Sequence, residues 1–165
     1  MGTASERFLR ARDGTRDEGP TYPACGDEGD FEPMYLGWEI ARCATGLTRD
    51  ESRAVAALVA ACIVAVRAGS TRLPIDEARL GTALTPLGAA DSVPLLRSIL
   101  ARARAGQPAD PVSAVFGAPD ERKPLVLDGE WLYPERMRAL EVRFCARVRD
   151  RLARAAPTRD PRLLA

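Results

Sequence analysis

The residues of this chain that could do chemistry are its arginines and its acids, because histidine is missing altogether. Without histidine the chain lacks the commonest general base, the Ser–His and Cys–His nucleophile pairs and the commonest zinc ligand. Four cysteines (Cys25, Cys43, Cys62 and Cys145) are widely spaced and form no CxxC pair. A zinc site would need all four thiolates drawn together from distant segments. Cys62 and Cys145 fall among apolar residues at helical positions, where a thiol is ordinarily a small buried hydrophobe. No Gly-x-x-x-x-Gly-Lys-Ser/Thr loop is present, and the only lysine, Lys123, follows no glycine-rich stretch, so a phosphate-cradling loop is lacking. Carboxylates are plentiful, but Asp76-Glu77 reads as the start of a helix, and those before Phe31 sit in a segment without periodicity. No catalytic residue, metal or cofactor is expected of these residues.

What remains is arginine. Placed at about 100° per residue on one helix, Arg136, Arg143, Arg147 and Arg154 lie within about 40° of one another. Guanidinium groups so arranged suit three roles. They can line a solvated face whose long stems cover apolar edge, bind the carboxylates of a partner, or bind phosphates. The helix that carries them is predicted over about residues 135–155. Beside the arginines runs a second stripe, Met137, Leu140, Phe144, Val148 and Leu152, at spacings of 3, 4, 4 and 4. Glu141 projects from that apolar side, where a carboxylate is costly unless paired. It is therefore expected to bridge a neighbouring arginine or to reach an adjacent chain.

A hairpin must feed this helix. Leu125–Leu127 reads as a short apolar strand, Asp128-Gly129 as a two-residue turn with φ > 0 at both positions, and Trp131–Tyr133 as the return strand. Pro134 is then expected at the first helical position. Trp131 and Tyr133 share one face of the hairpin, either as core or as aromatic anchors at a protein interface.

Upstream, a short helix is expected after Pro33, running through Trp38, Ile40 and Ala41 to Gly46. Thr48-Arg49-Asp50-Glu51 reads as a capping box. The helix it opens is predicted to run to about Ala68 and stop at Gly69, and its apolar residues point almost everywhere, as in a helix buried on all sides. Residues 71–75 read as extended, 76–84 as a brief helix, and 93–105 as a clearer one. In that clearer helix Leu95, Leu96, Ile99, Leu100 and Ala103 point inward, and Arg97, Arg102 and Arg104 outward. Residues 106–111 read as a loop. The expected fold is mostly α: a small helical domain with a short β-hairpin before a long C-terminal helix.

Its 165 residues suffice for one domain with a core. A net charge of +1 exerts no global pull on nucleic acid or membranes, but the charge is unevenly spread. From Asp13 to Glu32, seven acids face one arginine, a local charge of −6; from Glu135 to Arg162, nine arginines face four acids, a local charge of +5. Residues 1–32 are expected to be a disordered acidic tail, 33–156 the helical domain and 157–165 a second tail. The N-terminus has no apolar core segment like that of a secretory signal, and the longest apolar run, thirteen residues, falls short of a membrane span. A cytoplasmic protein with no membrane partner is expected.

The segment from about Trp38 to Arg151 resembles the N-terminal domain of the exodeoxyribonuclease V alpha subunit, the RecD helicase family. The alanine-rich helix ending in Arg67-Ala68-Gly69-Ser70-Thr71-Arg72-Leu73-Pro74 is similar to that family's helix followed by Gly-His-x-x-Leu-Pro, with Ser70 where the family usually has histidine. Pro124 to Tyr133, followed by Arg136-Met137 and Glu141, is similar to its Pro-Leu-x-Leu-x-Gly-x-x-Leu-Tyr segment and the arginine and glutamate beyond. The resemblance implies a small helical docking domain that precedes the motor domains and holds the subunit on the gamma (RecC-like) subunit of a helicase–nuclease. That complex processes double-strand breaks in repair and recombination. The family's ATP site lies in the motor, so this segment is expected to be non-catalytic and to meet DNA only through the complex. The expected partner-binding residues are Trp131, Tyr133, Arg136, Glu141, Arg143, Arg147 and Arg154. The alternative is a free-standing nucleic-acid-binding helical domain that uses the arginine stripe.

Overall fold

The computed structural model describes residues 31–154, in which five α-helices surround a small four-stranded sheet. Helix α1 (Phe31–Ala41) lies against α2 (Arg49–Arg67). α1 starts at Phe31 rather than after Pro33, so Glu32 belongs to the domain and ion-pairs with Arg67. The rest of the expected acidic tail (1–30) and the C-terminal tail lie outside the described residues.

The capping box forms as read. The Glu51 N–H donates to Thr48 Oγ1 at 3.2 Å, and the Thr48 N–H donates to Glu51 Oε2 at 2.8 Å, satisfying two orphan donors. At the other end Gly69 takes φ +89°, and the last turn closes on it. Between these ends every residue from Ala54 to Cys62 is buried, which makes α2 the axis of the domain. Small side chains make this possible. α1 approaches so closely that a Cβ on Gly37 would collide with the carbonyl oxygen of Ala56.

Strand β1 (Leu73–Pro74) and helix α3 (Glu77–Leu84) follow, the helix capped by the Asp76 carboxylate on the Arg79 N–H at 3.2 Å. Two 3₁₀ turns lead to α4 (Val93–Ala105), which buries Val93, Leu96, Ile99 and Leu100 against α2 and α3. Arg97 and Arg104 point outward as expected, but Arg102 does not. It lies partly buried, donating to Glu51 and, bidentately, to Asp110 (Nε to Oδ2 2.9 Å, Nη2 to Oδ1 2.8 Å). This triad ties the start of α2 to the end of α4 and to the 3₁₀ turn Pro111–Ala114. Its charge is used inside the fold, so helical spacing alone assigned it to the wrong side.

The sheet order is β1-β4-β3-β2, with β2 (Phe116–Gly117) parallel to β3 (Leu125–Asp128). The hairpin partner β4 (Trp131–Pro134) runs antiparallel to both β3 and β1. Asp128 pairs with Trp131, so the two turn residues are Gly129 and Glu130, one position beyond Asp128-Gly129. Gly129 has φ +58°, a left-handed conformation that a glycine takes without strain. Pro134 likewise stands one place earlier than expected. It ends β4 and precedes α5 (Glu135–Ala153), and Pro124 O accepts the Glu135 N–H at 3.1 Å.

The mostly helical fold class with a short hairpin before a long last helix is what the structure shows. No helix among the described residues is long and apolar enough to cross a membrane.

Candidate functional site

Helix α5 is the outlier of the structure, because none of its residues is buried. Its first turns touch β3 and β4, and beyond them it leaves the body of the domain. The apolar stripe read from its sequence is therefore in solvent. Leu140 is 43% exposed, Phe144 67% and Leu152 80%, with Val142 and Val148 open as well. A large aromatic at that exposure, in line with three aliphatic side chains, is the kind of surface that marks an interaction site.

The arginines beside the stripe are equally open. Arg136, Arg143, Arg147 and Arg154 are exposed and make no ion pair among the described residues. Elsewhere the contrast is clear. Arg67, Arg79, Arg97, Arg102 and Arg104 all bridge to carboxylates. On α5, Arg138 alone is committed, to Asp128 at 2.8 Å, which fixes the root of the helix to the hairpin.

Near that root the hairpin aromatics are held by arginines. Arg72 lies 4.0 Å from the centroid of Trp131, and Arg79 approaches the same ring at 5.4 Å. Arg72 also donates to Tyr133 Oη at 3.2 Å, a bond that raises its guanidinium further above its ordinary pKa. Tyr133 is only 4% exposed, and Arg138 stacks 5.6 Å from its ring, so Tyr133 holds the arginines in place rather than offering a ring to solvent. Trp131 is half-buried under Arg72.

Of the two roles expected of Glu141, the bridge to a neighbouring arginine does not form among the described residues. Its carboxylate instead accepts a hydrogen bond from Thr71 Oγ1 at 3.2 Å, two residues before β1. Glu141 shares the side of the stripe but stands near the root of α5, where the helix still meets the body, so its carboxylate reaches the Thr71 hydroxyl. With Arg138, Val142, Cys145 and Arg149 it lines an open groove of about 330 Å³. Cys145 is thus half-exposed between two arginines and is not the buried hydrophobe expected. Cys62 is, and burial pushes its thiol pKa far up.

The seven residues singled out by sequence fall into two groups. Arg136, Arg143, Arg147 and Arg154 share the open face of α5, while Trp131, Tyr133 and Glu141 meet Thr71, Arg72 and Arg138 at its root. Sequence reasoning missed the exposure of Leu140, Phe144, Val148 and Leu152. Their spacing is the same whether or not anything covers them. Among the described residues no three acids or cysteines gather as a metal site would require. Set beside known proteins, this arrangement matches no family model, no curated protein and no solved structure.

Proposed function

We propose that this chain is a non-catalytic assembly module of a RecD-type exodeoxyribonuclease V alpha subunit. It docks that subunit onto the gamma (RecC-like) subunit of a helicase–nuclease acting in double-strand-break repair and recombination. The observation that carries a docking role is the solvent-facing stripe Leu140–Phe144–Val148–Leu152 on a helix with no fully buried residue. The identity of the complex rests on the two resemblance motifs. Their placement supports reading them together: Leu73-Pro74 of the first pairs with Leu132-Trp131 of the second, and Thr71 binds Glu141. Residues about sixty apart in sequence thus form one unit.

Association with a matching gamma subunit tests the proposal. Binding is expected in the micromolar range or tighter, and the double change Phe144→Ser, Leu152→Ser should weaken it at least about tenfold through lost apolar burial. Absence of association at micromolar concentration would sink the proposal. A second reading, a free-standing nucleic-acid-binding domain, is favoured by the four exposed arginines, which make no ion pair among the described residues. It requires single-stranded DNA binding that weakens steeply with salt, and flat or absent binding at low salt eliminates it.

A further inference from the structure

We infer that the occupant of the outer face of α5 is an acidic amphipathic helix of a partner protein, its apolar side on Leu140, Phe144, Val148 and Leu152 and its carboxylates on Arg136, Arg143, Arg147 and Arg154. This rests on the docking reading and names the chemistry of what docks.

The face has a shape and a charge. Leu140 to Leu152 spans roughly 18 Å along the helix axis at 1.5 Å per residue, about three turns. Each step of four residues advances about 40°, so the seam winds through about 120° as one inclined ridge. A second helix covers such a seam better than a sheet edge or a loop, because its own ridges fit between successive side chains. Arg136, Arg143, Arg147 and Arg154 flank one side of the seam, about 80–120° from its middle by the helical period, closest to Leu140 and Phe144 and farthest from Leu152. The opposite flank carries Cys145 and Arg149, with Arg138 nearer the root, while Glu141 sits within the seam's span and is held by Thr71. A partner therefore meets apolar side chains and guanidinium groups together, and planar guanidiniums favour carboxylates with which they can form two parallel hydrogen bonds.

Three other occupants fit less well. A second copy of the chain in an antiparallel pair would set each flank against the same flank of its mate, bringing Arg143 and Arg147 onto Arg147 and Arg143. A parallel pair would set these arginines against the flank that carries Arg138 and Arg149, again like charge on like charge. Nucleic acid would satisfy the arginines, but only Phe144 offers a ring to stack on, and Leu140, Val148 and Leu152 would be left against sugars and phosphates. The chain's own acidic segment, residues 13–30, has the right charge, but its only large apolar side chain is Tyr22. One ring cannot cover four large side chains.

The probe is a synthetic amphipathic helical peptide of about three heptads with leucine along one face and glutamate on both flanks, against a twin carrying lysine at the glutamate positions. Titrated into the full chain, the glutamate peptide is expected to bind at least about tenfold tighter than the lysine peptide, and to weaken several-fold between about 50 and about 300 mM salt. Phe144→Ser should weaken it without changing the melting temperature, and the pair Arg143→Glu, Arg147→Glu should reverse the preference between peptides. Equal affinity for the two peptides, or a preference that survives the charge reversal, overturns the inference. A dimer of the chain that Phe144→Ser dissolves also overturns it, as does an oligothymidylate that displaces the peptide at lower concentration. So does an approximately tenfold gain in peptide affinity when the acids of residues 13–30 are replaced by their amides. The gamma subunit, titrated into the same variants, separates the two readings. If it binds wild type and Phe144→Ser equally, docking stands and this surface falls; if it never binds while the charge preference holds, docking falls and this surface stands.

Discussion

The same substitution, glycine to alanine, should have opposite signs at two helical positions. Gly37 lies in the interior of α1, where alanine favours the helix by roughly 1 kcal/mol because it loses less backbone entropy on folding. Its Cβ would collide with the carbonyl oxygen of Ala56 and stand 3.1 Å from that carbonyl's carbon and 3.3 Å from the Ala60 nitrogen. Carbon and carbonyl oxygen normally stop at about 3.3 Å, so α1 and α2 must part by on the order of 1 Å. A gap of that size forfeits up to half of the dispersion energy across the contact, and the obstacle is backbone, which cannot swing aside. Overpacking of this kind costs about 3 kcal/mol, the upper end of its usual range. Against the helical gain, a net loss of about 2 kcal/mol is expected, or roughly 6–10 °C in melting temperature for a domain of this size. Gly81 in α3 is the control, since its Cβ would meet only Val93 Cγ2 at 3.9 Å, an ordinary contact. There alanine should stabilise by about 0.5–1 kcal/mol. Guanidinium unfolding followed by far-UV circular dichroism and tryptophan fluorescence measures both variants. If Gly37→Ala is neutral or stabilising, or if the two variants shift in the same direction, the argument from close helix approach is refuted.

Gly129→Val places a β-branched residue at φ +58°, where open space removes any clash and leaves only backbone strain. A loss of about 1–2 kcal/mol is expected, and an unchanged melting temperature would show that the turn does not need this conformation. The Arg102 triad predicts a pH dependence. The Thr48 N–H holds the Glu51 carboxyl below its usual range against the effect of burial, with Arg102 adding to the lowering. Arg102 hydrogen bonds, and after them the Val112 N–H, hold the Asp110 carboxyl low too. Carboxyls depressed on folding contribute stability that is fully present above their unfolded pKa, near 4, and is lost as pH falls through their folded values. Arg102→Met should therefore destabilise most at neutral pH, with the gap to wild type closing below about pH 4 as both acids protonate. A gap that is independent of pH would mean that Arg102 acts through the packing of its stem and not through its charge.

Most of the helical framework was legible because its signals are local. Thr48 and Glu51 form their capping box from four consecutive residues, and Gly69 stops α2 by its own backbone freedom. The hairpin was legible for the same reason, though its turn moved by one residue. Asp128-Gly129 is the usual signature, but pairing Asp128 with Trp131 keeps Leu127 opposite Leu132, both buried. A register that slipped by one would have turned these side chains outward, so the core overrode the dipeptide. Strand β2 and its parallel pairing with β3 were not legible. Two residues, Phe116-Gly117, are too short to show alternation, and only their partner defines them as a strand. Arg102 was misplaced for a related reason: a helical period reports direction, and the two acids that make its inward position favourable lie 51 and 8 residues away.

The apolar stripe of α5 was read correctly as a stripe, and yet the reading says least where function is concerned. Met137, Leu140, Phe144, Val148 and Leu152 would show the same spacing if they packed on α4, on the sheet, or on another molecule. What separates these cases is whether the chain supplies a second surface for them, and within the described residues it does not. The arginines supply the missing distinction. Arginines that belong to the fold, such as Arg102, Arg138 and Arg104, have each found a carboxylate or a carbonyl within the domain. Those of the outer α5 face have found none among the described residues, although a solvated arginine costs the fold nothing and needs none. An unpaired arginine alone is thus uninformative, as is a lone exposed leucine. Four of each, side by side on one helix with no fully buried residue, place apolar surface and positive charge where a single ligand can meet both. That conjunction gives the outer face of α5 a stronger claim to a partner than the hairpin aromatics, which the domain already uses to seat its own arginines.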